Sequence, residues 1–100
     1  MPRHPSAARK RLERLREGID AIDLELVRLL ARRAKLARRA MAARAAASGT
    51  FRVRNRAREA ELRALWRARA RRLGLDPRAT ERVFAAVLAS SRPQKKNGRA

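Results

Sequence analysis

Cysteine is absent from this chain of 100 residues, which excludes disulfide scaffolds, thiolate zinc sites and cysteine nucleophiles. Histidine occurs once, as His4 beside two prolines, which argues against an active site built on imidazole chemistry. Tyrosine is missing, and one Trp and two Phe make aromatics only 3% of the chain. With so few aromatic and β-branched residues, little favours strands. No stretch approaches the roughly 18 apolar residues of a membrane span, and the opening MPRHPSAARKRL has no apolar signal core. These absences predict a cytoplasmic protein with no membrane contact. Acidic residues are scarce too: 9 Asp and Glu face 28 Lys and Arg.

The basic residues set the character of the chain. Only Lys10, Lys35, Lys95 and Lys96 are lysines, so 24 are arginines, and the net charge is +19 with a pI near 12.0. Such a chain meets anions, whether phosphate backbones, anionic lipid or small acids. Its length suits one domain, and a core this small often needs a partner subunit. Hydrophobic residues reach 45%, mostly alanine and leucine, a helix-forming composition.

Three helical segments are expected. The first begins at Ser6, a candidate N-cap, and runs to the Ser48-Gly49-Thr50 break. The second runs from about Asn55 to Gly74 with Ala57, Leu62, Leu65, Trp66 and Leu73 as its apolar positions. Asp76-Pro77 then offers an N-cap followed by proline at the first helical position, opening a third helix with Val83, Phe84, Val87 and Leu88. A polar tail begins near Pro93. Residues 6–95 therefore read as one helical domain, with disordered tails at 1–5 and 96–100.

The first helix carries a heptad seam. Leu12, Leu15, Ile19, Ile22, Leu26, Leu29, Leu36 and Ala40 follow a spacing of 3 and 4, with the position between Leu29 and Leu36 taken by Arg33. A helix of about 40 residues is about 60 Å long, whereas a compact domain of this size has a radius of gyration of about 13 Å. Two shorter helices cannot cover such a seam within one chain. The expected solution is an intertwined all-α homodimer of three-helix chains with the long helices paired.

Most arginines read as solvated faces, as in Arg67, Arg69, Arg71 and Arg72 around Leu73. Arg33 differs, since a charge on an apolar seam must be paired, snorkel out, or serve a ligand. Arg44, 11 residues on, returns to within about 20° of the same face. Arg16 lies about 100° away, placed to reach a partner's pocket rather than its own. With Arg58 near the start of the second helix, several cations converge in a helical bundle poor in carboxylates. That arrangement suits chemistry done by positioning and charge stabilisation of a small polyanion.

LREGIDAIDLELVRLLARRAKLARR resembles the first helix of the AroQ-class chorismate mutases, where LRxxIDxID, a leucine-rich stretch and an RR pair recur. VRNRAREAEL resembles their second-helix entry, and GLDPRATERVFAAVLASS their third helix. The resemblance spans residues 12–95 and implies an intertwined dimer of three-helix chains. It also implies roles. Arg16 would reach the partner's site and grip one carboxylate, and Arg33 the other. Arg58 and Glu59 would supply a further cation and the group holding the ring hydroxyl, and Ser91 would stand near a carboxylate.

Three positions depart from the family pattern. Arg44 stands where a lysine contacts the breaking ether oxygen, and Asn55 where an aspartate opens the second helix, a place an ordinary N-cap would also explain. The family's glutamine falls on Lys95 by spacing, while the glutamine present is Gln94, and a shift of one residue turns a side chain by about 100°. Lys95 fits the spacing; a distortion at Pro93 would bring in Gln94 instead. The resemblance implies rearrangement of chorismate, a dicarboxylate, to prephenate with no metal or cofactor. Arg44 and Lys95 would then donate to the ether oxygen, each worth about 3 kcal/mol in a dry site. On the same fold, isochorismate pyruvate lyase and mutase of an amino-substituted chorismate stay open. Outside enzymes, the alternatives are a degenerate mutase-like regulator and a basic helical nucleic-acid binder, which would use the charge without needing the seam arginines and has few aromatics for base stacking.

Overall fold

A computed structural model describes residues 6–48 and 55–92. They form three helices, α1 (Ala7–Ser48), α2 (Arg56–Arg72) and α3 (Pro77–Ser91), with no strand among the described residues. The all-α, three-helix expectation is met. The expected tails at 1–5 and 96–100, and both Gln94 and Lys95, lie outside the described residues.

Each helix starts where a polar side chain can take up orphan amides. Ser6 Oγ accepts from the Arg9 amide at 3.0 Å, Asn55 Oδ1 from Arg58 at 3.1 Å, and Asp76 Oδ1 from Arg78 at 3.1 Å. Pro77 follows Asp76 at a position where its missing N–H costs nothing. The end of α2 is a Schellman turn: the Leu75 amide reaches the Ala70 carbonyl at 2.8 Å and the Gly74 amide the Arg71 carbonyl at 3.3 Å. Gly74 takes φ +77°, the left-handed conformation such a turn needs and side chains resist.

This turn folds α3 back on α2, and α3 in turn packs on α1. The core lies where they meet. Phe84 is fully buried, its ring 4.6 Å from that of Trp66, with Ala70 and Val87 closed in beside it. Arg67 and Arg63 of α2 flank Glu81 of α3 at 3.1 and 3.9 Å. Arg67 is therefore tied to α3, unlike the free solvated face its cluster suggested. Leu73, 74% exposed, and Val83 lie outside the core despite their apolar spacing.

Only the C-terminal third of α1 takes part. From Leu12 to Leu30 the helix carries a stripe of exposed apolar residues, with Leu15 at 59% and Ile22 at 62%. Val27 and Leu30 widen the seam into a broad apolar face, opposite a face of Asp, Glu and Arg. Such a face is normally packed against another element. The radius of gyration is 19.7 Å and the longest extent 72 Å, far beyond a compact chain of this length.

Candidate active site

The face of α1 that carries the seam continues past Leu29 into a different environment. Arg33, Ala37, Ala40, Met41 and Arg44 line one wall of a cleft of about 220 Å³. Asn55, the N-cap of α2, with Arg58, Glu59 and Leu62 on that helix, forms a second wall, and Leu88 and Ser91 of α3 with its C-cap Arg92 complete the lining. The volume suits a ligand smaller than the usual drug-sized molecule. A second hollow of about 260 Å³, by Trp66, Leu73 and Leu75, holds one cation, Arg69, and no buried polar side chain.

Arg33 is half-buried on α1, and its placement explains why the heptad tolerates a charge. Its Nη1 donates to Ser91 Oγ at 3.1 Å, while the guanidinium stands 5.8 Å from the centre of the Phe84 ring. Ser91 Oγ in turn donates to the Val87 carbonyl at 3.1 Å, the back-bond a serine makes inside a helix, which fixes its rotamer. Residues 58 positions apart are thus joined at the cleft wall.

Glu59 and Ser91 are the buried polar or charged residues among those described, at 8% and 6% exposure, and both belong to the cleft. Burying a carboxylate is costly without compensation. Here Arg92 Nη2 lies 3.7 Å from Glu59 Oε2, and Arg33, Arg44 and Arg58 share the same walls. Arg58 itself is mostly exposed, with Nη1 3.4 Å from Glu61, and its neighbour Asn55 is an N-cap that also faces the cleft. Asn55 is thus the N-cap of α2, at a position that also lines the cleft.

The structure thus gathers Arg33, Arg44, Asn55, Arg58, Glu59 and Ser91 in one cleft. Arg16 is not among its lining residues; 17 positions from Arg33, it sits about 25 Å away along α1. Arg92 was missed. It ends α3 and lies next to Ser91, and nothing in the spacing of an isolated arginine beside a proline marks it out.

A family model described as chorismate mutase type II matches residues 15–96. The chain belongs to that family. No curated protein and no solved structure matches it significantly. The match covers every residue of the cleft and supports chorismate mutase-type function in general. Within the described residues no helix is long and apolar enough to cross a membrane.

Proposed function

We propose that this family member is a chorismate mutase, rearranging chorismate to prephenate as a homodimer whose sites are shared between chains. The observation that carries the reading is a cleft in which Arg33, hydrogen-bonded to Ser91, is joined by three more arginines and one buried carboxylate. The reaction breaks a C–O bond as a C–C bond forms, with no net proton or electron transfer. Its catalyst must hold the extended dicarboxylate folded and steady the charge growing on the ether oxygen.

Arg33 and Arg58 bind carboxylates through charge-assisted hydrogen bonds, with Arg33 held in place by Ser91 and Phe84. Arg44 donates to the ether oxygen, and a bond that strengthens as charge develops raises kcat. Lys95, or Gln94 in its place, gives a second donor. Glu59 accepts from the ring hydroxyl. The partner's α1 completes the site with Arg16, which is too far along the helix to serve its own chain. The uncovered seam from Leu12 to Leu30 supports that pairing, since a second copy would remove it from water. The domain boundaries 6–95 follow from the same reading.

Purified protein incubated separately with chorismate and isochorismate tests the proposal. Prephenate from chorismate is the expected product. Salicylate and pyruvate from isochorismate, with chorismate untouched, would assign the lyase reaction on the same fold. Absence of turnover together with tight, salt-sensitive binding of any DNA or RNA would move the function to nucleic-acid binding.

A further inference from the structure

Arg33 meets α3 through two contacts of different kinds. Its Nη1 donates to Ser91 Oγ at 3.1 Å, and its guanidinium stands over the Phe84 ring, 5.8 Å from the centre. Ser91 follows Phe84 by seven residues, close to two turns of helix, so one face of α3 supplies both. A hydrogen bond fixes one nitrogen and leaves the guanidinium free to swing about it. The ring restricts that swing, because the attraction holds only while the cation lies over the ring within about 6 Å.

The Phe84 ring is itself braced from α2. The Trp66 ring lies 4.6 Å from it, centre to centre, with the planes tilted by 32°. Aromatic pairs stand about 4.5–7 Å apart, so this one is near its closest approach. Phe84 is fully buried, whereas Trp66 is half-buried and lines the second hollow rather than the cleft. Among the described residues α1 packs on α3 and α3 on α2, while α1 and α2 do not pack on each other. The cleft walls carried by α1 and α2 are therefore held in register through α3. The contacts from Trp66 through Phe84 to Arg33 cross all three helices along that route.

We propose that Trp66 is a positioning residue for Arg33, acting through the Phe84 ring to set the plane in which the guanidinium meets a substrate carboxylate. This rests on the reading of the cleft as a chorismate mutase site. A guanidinium oriented before the ligand arrives loses less freedom on binding. With a smaller side chain in place of the indole, the Phe84 ring gains room beside the second hollow and Arg33 loses the support that orients it. The grip on a carboxylate is made in the ground state and the transition state alike, so the loss falls on KM rather than on kcat.

The test compares wild type, Trp66→Leu, Trp66→Phe, Arg33→Ala and the Trp66→Leu/Arg33→Ala double variant on chorismate. Helix content and thermal midpoint are followed for each. Trp66→Leu is expected to raise KM by roughly 5- to 20-fold with kcat within about twofold of wild type. Trp66→Phe keeps a ring against Phe84 and should return KM to within about twofold. In the Arg33→Ala background, Trp66→Leu should change kcat/KM by less than about twofold, because its effect runs through the guanidinium. A lowered thermal midpoint with KM unchanged, a fall in kcat alone, or losses that multiply in the double variant would overturn the proposal and leave Trp66 a core residue. Trp66 is the one tryptophan of the chain and tyrosine is absent, so intrinsic emission reports on it directly. If Trp66→Leu does not fold, that emission carries the test. Titration with the product prephenate should change it in wild type and not in Arg33→Ala. Emission that ignores prephenate, or responds equally in both, would overturn the proposal. A wild type that leaves chorismate unchanged would overturn it by removing the mutase reading beneath it, a result separable from a working enzyme whose KM ignores Trp66→Leu.

Discussion

The two ends of α1 follow one pattern in sequence and meet opposite fates in structure. From Leu12 to Leu29 the seam is Leu and Ile, and all of it is open to solvent. From Arg33 to Arg44 the seam still holds Leu36, exposed at its edge, but Arg33, Ala37, Ala40, Met41 and Arg44 line a cleft with residues from the start of α2 and the end of α3. The apolar stretch is the one left uncovered and the charged stretch the one enclosed, the reverse of what a chain folding alone would choose. Burial of apolar surface is worth about 25 cal/mol per Å², so the uncovered stretch is a large unspent driving force. The enclosed stretch buries cations whose cost is met in part by Ser91, the Phe84 ring and the Glu59 carboxylate, and an anionic ligand would meet more of it. On the proposed reading, one region awaits another helix and the other an anion.

The sharpest way to break this comparison is to charge the uncovered stretch. Ile19→Glu/Ile22→Glu should abolish the dimer in light scattering and remove activity altogether. In a chain that works alone, the same exposed changes would be within about 0.5 kcal/mol of neutral and leave activity intact. A monomer with full turnover would end the shared-site reading.

Next in size is the enclosed stretch. Arg33→Ala should lower kcat/KM by roughly 100-fold or more while the dimer persists, since a ligand-binding cation is lost and the seam gains an alanine. Near-normal turnover would mean that the Ser91 contact is structural. Arg44→Ala should lower kcat more than it raises KM, as expected for a donor that matters most in the transition state.

Joining the two regions gives a smaller but more specific signal. Arg16→Ala and Arg33→Ala homodimers should each be folded and inactive. Refolded together one to one, about half the dimers are mixed, and each mixed dimer has one pocket with both arginines, so activity should return to about a quarter of wild type. Mixed dimers that are detected by mass yet inactive would show that Arg16 does not act across the interface.

What the sequence disclosed divides along the same line. Local chemistry was legible: Ser6, Asn55 and Asp76 cap the helices they were expected to cap, because capping depends on neighbours two and three residues away. The seam was legible because its period is intrinsic to one helix, and Arg33 stood out by interrupting it. Which element covers a face is not local, so Leu73 and Val83 were placed with core positions although they are exposed. The Arg33–Ser91 contact spans 58 positions; the resemblance implied that both residues serve one site, but not that they bond to each other. Arg92 had neither a period nor a motif to mark it, and its contact with Glu59 depends on how the end of α3 meets α2.

The smallest effect compares the same substitution in the uncovered stretch and in the turn that folds α3 onto α2. Gly74 sits in the turn between α2 and α3 at φ +77°, with nothing within 4 Å of where a Cβ would stand. Gly74→Ala therefore meets no clash and costs only the left-handed backbone conformation, about 1 kcal/mol. Gly18 lies in the uncovered stretch of α1, beside Ile19, again with nothing within 4 Å of its would-be Cβ in the single chain. Gly18→Ala there gains helix propensity of about 1 kcal/mol. Thermal melts at matched protein concentration should thus move in opposite directions by a few degrees, down for Gly74→Ala and up for Gly18→Ala. Turnover should change little in either. A melt that falls for Gly18→Ala would mean that another backbone approaches α1 closely at that point, leaving no room for a methyl group. The seam would then be packed around Gly18 itself, as tightly as the turn at Gly74 is open.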